Sequence, residues 1–429
     1  MSIQLKYHDT TIEVPKPPAG NIEFLRGRTI EPLEDPVLTL RKSFENPIDS
    51  APLIDMIPET GDISIMVSDR TRKTRLNILL PEIVNCLKKK NVVDNRIKSL
   101  ICLGTHVPHT PVQIEELIGK DFLERFEVIE SNQNNPDVFI DVGVTPSGTK
   151  VRFHEQAVNS GLLIVTGGIT FHYFAGFSGG RKSFLPGISH VSTIQKNHRW
   201  TYMRQNGEFV RNQDCSSARL DGNPVSDDME ESYKLMTTPS FLVNVIVTPT
   251  GEIADIFCGD VIKAHRTGCA RLSELYSMPI DYKADIVIAS AGGHPTDINL
   301  LQTHKSMINA SRVVKPGGTV FLAARCVEDF SMSDYPEFVL KNSRKKLIER
   351  LMENYEILGG TTDNLMSIAD NFRLFFHSGL DSETLIAMGV RPFNAGQGNW
   401  DEVFKGIDIN SSCYIMPDAS KFLPVLNGH

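Results

Sequence analysis

ISIMVSDRTRKTRLNILLPEIVNCLKKKNVVDNRIKSLICL (63–103) decides the fold of this chain. Ile63–Val67 is a short, mostly apolar run of the kind that forms a buried strand, and Lys98–Leu103 is another. Between them, Asn77–Lys90 spaces its apolar residues three and four apart, the mark of a helix with one buried face. A strand, a helix and a strand in succession imply a crossover, so the two strands are expected to run parallel with the helix on the sheet.

The pattern continues outward. Gln113–Phe126 reads as the next helix and Leu162–Thr166 (LLIVT) as a third strand. Upstream, Ile3–Val14 reads as a hairpin turning near His8–Asp9, followed by a linker at Pro15–Gly20 (PKPPAG). Downstream, Ala284–Ala289 and Gly318–Ala323 read as strands, Lys305–Val313 and Pro336–Tyr355 as helices, and Ser411–Met416 as a last strand. Ser277–Lys283 (SMPIDYK) reads as the boundary. The expected class is α/β: two α/β domains, residues 1–278 and 279–429, with mainly parallel sheets and an interdomain active-site cleft.

Composition excludes several other classes. The chain has 429 residues, 41% of them hydrophobic and 22% charged, as in ordinary globular proteins. With 44 basic and 52 acidic residues the net charge is -8, which argues against a nucleic-acid partner or an anionic membrane surface. No uninterrupted apolar run approaches the roughly 18 residues of a membrane-spanning helix. The opening MSIQLKYHDTTIEV lacks a signal-peptide core, and the seven scattered cysteines form no C-x-x-C pair. Reduced thiols and a cytoplasmic location are therefore expected.

Ligands of open α/β sheets bind beyond the carboxyl ends of the strands. Four such ends carry reactive side chains: Ser68–Arg72, Gly104–His109, Gly167–His172 and Ser290–His294. Half of the twelve histidines (His106, His109, His154, His172, His190 and His198) fall within 93 residues. His106 and His172 stand out by their strand-end positions; His109 and His154 read as structural. The segment Phe171–His198 is densest, with Gly176, Gly179, Gly180, Lys182 and Ser183. Arg181 breaks the phosphate-loop pattern G-x-x-x-x-G-K-[ST], and no G-x-G-x-x-G follows a strand. Lys182 can neutralise a phosphate or bond covalently to a ligand through its amine. His198 follows a predicted helix, Val191–Asn197, and as a lone histidine needs further donors to hold a metal. Gln302 and Lys305 are three apart and share a helix face, where an amide and an ammonium suit a carboxylate.

Taken together, Asp69-Arg70-Thr71-Arg72, Gly104-Thr105-His106, the His172/Lys182/His198 set and Gln302-x-x-Lys305 resemble the nickel-dependent lactate racemase family. The resemblance implies a racemase or epimerase that inverts C2 of a 2-hydroxy acid by hydride transfer to and from a nickel-pincer nucleotide. Residues 1–278 would be the catalytic, cofactor-binding domain, and residues 279–429 would close over substrate. Lys182 would carry the nucleotide covalently, and His198 would ligate its nickel. Asp69, Arg70, Thr71 and Arg72 would hold the nucleotide, and His106 and His172 would be the acid/base pair. Arg72, Gln302 and Lys305 would bind substrate. Proteins that make and load the cofactor are the implied partners.

Some positions depart from the family. Arg70 stands where the family usually has histidine, and Arg181 precedes the lysine; both are expected to add positive charge near the phosphate or the substrate. No counterpart to the family's second-domain aromatic side chain aligns: Trp400 fits poorly, and Gly359–Thr362 falls in that region. These departures leave lactate, a larger relative or a dicarboxylate as substrate. The alternatives are a non-catalytic cofactor carrier or hydroxyacid sensor, and a nucleotide-phosphate enzyme using the Lys182 segment.

Overall fold

The computed structural model describes residues 2–72, 74–327 and 333–427. They form two compact units, one of residues 30–203 and 211–275, the other of residues 1–29, 204–210 and 276–429.

The first unit is built on a six-stranded sheet. Its order is Ile253–Gly259, Ser240–Val247, Leu162–Gly168, Ile63–Ser68, Ile97–Cys102, Glu127–Glu130. Every pairing is parallel except the antiparallel edge pair of Ser240–Val247 with Ile253–Gly259. Side chains of a strand alternate between faces, and here the alternation sorts two cores. Ile63, Ile65, Val67, Ile164 and Val243 pack with Leu79, Ile83 and Leu87 of the helix Leu76–Lys89. Met66, Leu100, Leu163, Val165 and Leu242 pack on the other face with Phe153 and Phe184. Burial on both faces explains why these strands are nearly continuous apolar runs.

The second unit has its own six-stranded parallel sheet, ordered Arg391–Pro392, Arg373–His377, Val314–Ala323, Ala284–Ser290, Ser412–Met416, Asn21–Phe24. The N-terminal hairpin, Ser2–Tyr7 with Thr10–Pro15, turns at His8–Asp9 and sends Leu5, Tyr7 and Val14 into the core with Ile286, Phe321 and Phe375. The division expected at 278/279 therefore misplaces the first 29 residues, because Asn21–Phe24 takes its hydrogen bonds from Ser412–Met416.

Two expected helices are interrupted. Gln113–Phe126 begins earlier, at Pro111 behind a Thr110/Gln113 capping box, and breaks at Gly119, whose φ is +89°. Pro336–Tyr355 is two helices, Tyr335–Lys341 and Arg344–Glu353. Between them, extended Asn342 turns its side-chain amide back to the Phe338 carbonyl, 3.0 Å away. Gly359–Thr362 lie buried within the helix Ile357–Asn371. A Cβ at Gly359 would meet the Tyr335 hydroxyl at 2.3 Å, so this glycine makes room for a tyrosine. Trp400 packs among Phe321, Phe393 and Phe404.

Candidate active site

Three of the four reactive strand ends belong to one sheet, that of the first unit. After Ile63–Ser68 the chain turns at once, with the Arg72 N–H donating to the Asp69 carbonyl at 3.1 Å. This buries the Asp69 side chain and leaves Arg70, Thr71 and Arg72 exposed. The neighbouring parallel strand, Ile97–Cys102, ends in the loop that carries His106, and His106 Nδ1 bonds Asp69 Oδ2. Thr71 Oγ1 donates to Asp69 Oδ1 at 2.7 Å. Burial pushes the Asp69 carboxyl up, but its bonds to His106 and Thr71 and the nearby Arg72 charge hold it below its ordinary range. The carboxylate is thus an acceptor only, so His106 Nδ1 donates and Nε2 of the neutral ring carries the lone pair. The His106 side chain keeps 41% of its surface exposed.

His109 does a different job. Its Nδ1 bonds Glu130 Oε1 at 2.7 Å and its Nε2 accepts the Arg70 N–H at 3.3 Å. With 4% of its side chain exposed, it ties the Asp69–Arg72 turn to the edge strand Glu127–Glu130, two places away in the sheet. His154 is also interior, capping the short helix Glu155–Val158.

The third strand, Leu162–Gly168, leads into a small hairpin, Phe171–His172 with Gly176–Phe177. Its tip inserts the Phe174 ring, 2% exposed, into a core with Leu185, Ile194, Val225 and Met229. Three of the expected site residues converge on that ring. The His172 imidazole meets it edge-on at 4.5 Å, the His198 imidazole at 5.0 Å, and the Lys182 amine lies 5.4 Å from its centroid. Phe174 looks in sequence like any core aromatic; only the fold makes it the hub. His172 Nδ1 accepts the Ala175 N–H at 3.3 Å, which leaves the proton of the neutral ring on Nε2.

Lys182 sits in the short 3-10 turn Gly180–Ser183. Gly179 and Gly180 have φ of +78° and +53°, and a Cβ on Gly180 would meet the His265 ring at 2.4 Å, so glycine is required there. The Lys182 amine is held well below the ordinary lysine value, first by burial and then by the Arg72 and Arg181 charges. His198, the last residue of the helix Val191–His198, is 1% exposed. Burial, and then Lys182 nearby, push its imidazole down to about 3, against a backbone hydrogen bond to Ile194 that favours protonation. At neutral pH the site thus holds an uncharged imidazole beside an amine whose protonated form is disfavoured by burial and by the Arg72 and Arg181 charges.

Arg181 corrects an expectation. Its side chain is completely buried rather than exposed, and its charge acts on the Lys182 amine from within the core. It donates to the Ala175 carbonyl at 2.8 Å and to Ser226 Oγ at 3.0 Å, and lies 3.4 Å from His265 Nδ1. It braces the hairpin that carries Phe174 against the Lys182 turn. Asn244, on the strand Ser240–Val247 next to the sheet edge, holds the same turn by accepting the Gly180 N–H at 2.9 Å. A lone asparagine in an otherwise apolar run, SFLVNVIV, was the available signal for it.

Gln302 and Lys305 lie in the second unit, on the helix Leu300–Arg312 capped by Asn299. They share a face as expected, and Lys305 Nζ donates to Gln302 Oε1 at 3.3 Å. The fourth strand end, Ser290–His294, belongs to this unit's sheet.

Among the described residues no group of three or more His, Cys, Asp or Glu side chains could hold a metal ion by itself. A metal at His198 therefore needs donors from a bound group. The donor set suits such a group: a buried neutral imidazole for a transition metal, and a desolvated amine for covalent attachment.

Residues 7–209 match the lactate racemase N-terminal domain and residues 280–362 the lactate racemase C-terminal domain. Lactate racemases of Thermoanaerobacterium thermosaccharolyticum and Lactiplantibacillus plantarum are 35% and 34% identical over 289 and 287 residues. Each alignment covers 67% of this chain and slightly less than two thirds of the relative, 66% and 65%. The solved structure of the T. thermosaccharolyticum lactate racemase apoprotein matches with a TM-score of 0.87 at 26% identity, covering 99% of this chain and all of that one. A Thermotoga maritima protein matches with a TM-score of 0.67 at 13% identity, over 93% of this chain and all of that one, a likeness of fold alone.

Proposed function

Because the chain belongs to the lactate racemase family, we propose that it interconverts the enantiomers of a 2-hydroxy acid, lactate or a larger or dicarboxylic relative. The observation that carries this is the gathering of Lys182, His172 and His198 around one Phe174 ring in the unit that also holds the Asp69–His106 pair.

The residues fit a nickel-pincer nucleotide bonded to Lys182 and ligated by His198. When bound, that group supplies the hydride acceptor. The chain supplies the proton chemistry. His106, with Nδ1 committed to the Asp69 carboxylate, offers Nε2 as a base for the substrate's 2-hydroxyl. His172, which in its neutral form accepts the Ala175 N–H on Nδ1, is the second acid/base group and returns a proton from its imidazolium form when the alcohol re-forms. One histidine removes the hydroxyl proton as a neutral imidazole while the other, as imidazolium, returns one to the re-forming alcohol, and the two exchange roles in the reverse direction. Arg72, Gln302 and Lys305 are assigned to the substrate carboxylate, and Asp69–Arg72 to the nucleotide. Arg70 is exposed and can favour a second carboxylate; buried Arg181 cannot.

A lysine held toward its neutral form is a poor counter-ion for phosphate, which weighs against a nucleotide-phosphate enzyme. The test is a panel of single-enantiomer 2-hydroxy acids given to the cofactor-loaded protein and followed by chiral chromatography. Inversion of at least one acid is expected; inertness of adduct-bearing protein across lactate, malate, aryl-lactates, hydroxyglutarate and sugar acids would overturn it.

A further inference from the structure

His198 is joined to a buried carboxylate through one intervening amide. Asp228, in the helix Pro224–Lys234, is completely buried and is held by three donors: Thr145 Oγ1 at 2.7 Å, Thr149 Oγ1 at 2.9 Å and Asn197 Nδ2 at 2.9 Å. The two threonines lie at the turn between the strands Phe139–Val144 and Lys150–His154. Asn197 is also completely buried, and its Nδ2 donates a second time, to the Val225 carbonyl at 3.1 Å. Both amide hydrogens are therefore committed, and Oδ1 is turned to His198 Nδ1, 3.1 Å away.

The opposite orientation of that amide is excluded by its surroundings. Flipping it would set its oxygen against the Asp228 carboxylate and the Val225 carbonyl, two acceptors against a third. An amide oxygen only accepts, so His198 Nδ1 must donate. The Ile194 carbonyl also takes a hydrogen bond from this ring, so Asn197 shares the orienting role, and a neutral imidazole with its proton on Nδ1 keeps the lone pair on Nε2.

We propose that Asp228 and Asn197 are positioning residues that hold His198 in its Nδ1–H tautomer and so present Nε2 as the ligand atom for a metal. The inference deepens the proposed function and rests on its assignment of nickel to His198. The principle is general: a metal-binding histidine usually donates its other ring N–H to a fixed acceptor, and loss of that acceptor typically weakens metal binding by about 10–100-fold. Here the acceptor is an amide, and its direction is set by a carboxylate 31 residues away in sequence.

The first readout uses the protein without cofactor. Labelled with 15N-histidine, it should show the His198 proton on Nδ1 at neutral pH, and Asn197→Leu should redistribute it between the ring nitrogens. In the loaded protein, Asn197→Leu should lower nickel affinity by about 10–100-fold, read as metal retained against a chelator. If that variant does not fold, Asp228→Asn, which keeps the shape and removes the charge, should lower nickel affinity in the same direction. An Nε2–H tautomer in the wild-type protein, or nickel affinity unchanged in whichever variants fold, would overturn the proposal. The tautomer measurement needs neither cofactor nor substrate, so it stands or falls apart from the racemase reading.

Discussion

Asp69 and His106 stand beyond the carboxyl ends of adjacent parallel strands, and the carboxylate of one holds the Nδ1–H of the other. The bond does for His106 what the Ala175 N–H does in the opposite sense for His172: it occupies Nδ1 and decides whether Nε2 of the neutral ring carries the lone pair or the proton. His106→Ala and His172→Ala are each expected to lower kcat by about 10²–10⁴, the usual worth of acid/base catalysis. Asp69→Asn, which can present its amide to Nδ1 and reverse the tautomer, should fall in the same range. Steady-state rates in both directions check this, and near-wild-type turnover would remove that residue from the proton path.

Lys182→Ala should abolish the covalent mass adduct in protein expressed with the cofactor pathway. Intact-mass and peptide spectra would show it directly, and an adduct surviving in the variant would relocate the attachment. Lys182→Arg should lose the adduct as well, because a guanidinium keeps its proton and does not act as the amine nucleophile.

Phe174 supports three site residues with a single ring, so its loss should cost stability and activity together. Phe174→Ala should destabilise the protein by about 3–5 kcal/mol, the range for emptying a buried aromatic site. Phe174→Leu refills much of the volume and should recover stability while leaving kcat depressed, since the ring faces that seat His172 and His198 are gone. Urea unfolding alongside turnover separates the two effects.

Much of this arrangement is legible in sequence for a specific reason. Strands of a parallel sheet are buried on both faces, so Ile63–Val67 and Leu162–Thr166 appear as apolar runs, and the residues after them mark the sheet edge where ligands bind. The Gln302/Lys305 face follows from helix spacing alone. What stayed hidden depends on distant partners. Nothing local says that Asn21–Phe24 will pair with Ser412–Met416 rather than with the sheet that follows it. Arg181 stands next to Lys182 and looks like more surface charge. Its inward course is set by Ser226 and the Ala175 carbonyl, which only the folded chain brings near. Asn197 and Asp228 are ordinary helix residues until the helices pack.

Two buried histidines away from the proposed metal ligand set an acid limit on stability. Burial pushes His154 down to about 4; burial and then Arg181 push His265 down to about 3; an unfolded chain returns both to about 6.5. Below 6.5 the unfolded state therefore binds protons that the folded state refuses. Stability is full above that pH and falls as the pH drops toward 4 and then 3. Each histidine contributes a slope of about 1.4 kcal/mol per pH unit, or about 2 kcal/mol by pH 5. Urea midpoints between pH 7 and 5 should show the decline, and His265→Gln should flatten it by one histidine's share. A pH-independent midpoint would show that these rings are charged or exposed.

The proposal that the chain inverts a hydroxylated carbon is tested most directly by one labelled substrate. Adduct-bearing protein is given L-lactate deuterated at C2, or the best acid from the panel, and the product is followed by chiral chromatography with mass detection. The account predicts that the opposite enantiomer appears with its C2 deuterium retained, because the hydrogen moves as a hydride and does not mix with water. An unchanged enantiomer, or an inverted product whose deuterium has been replaced from solvent, would contradict it.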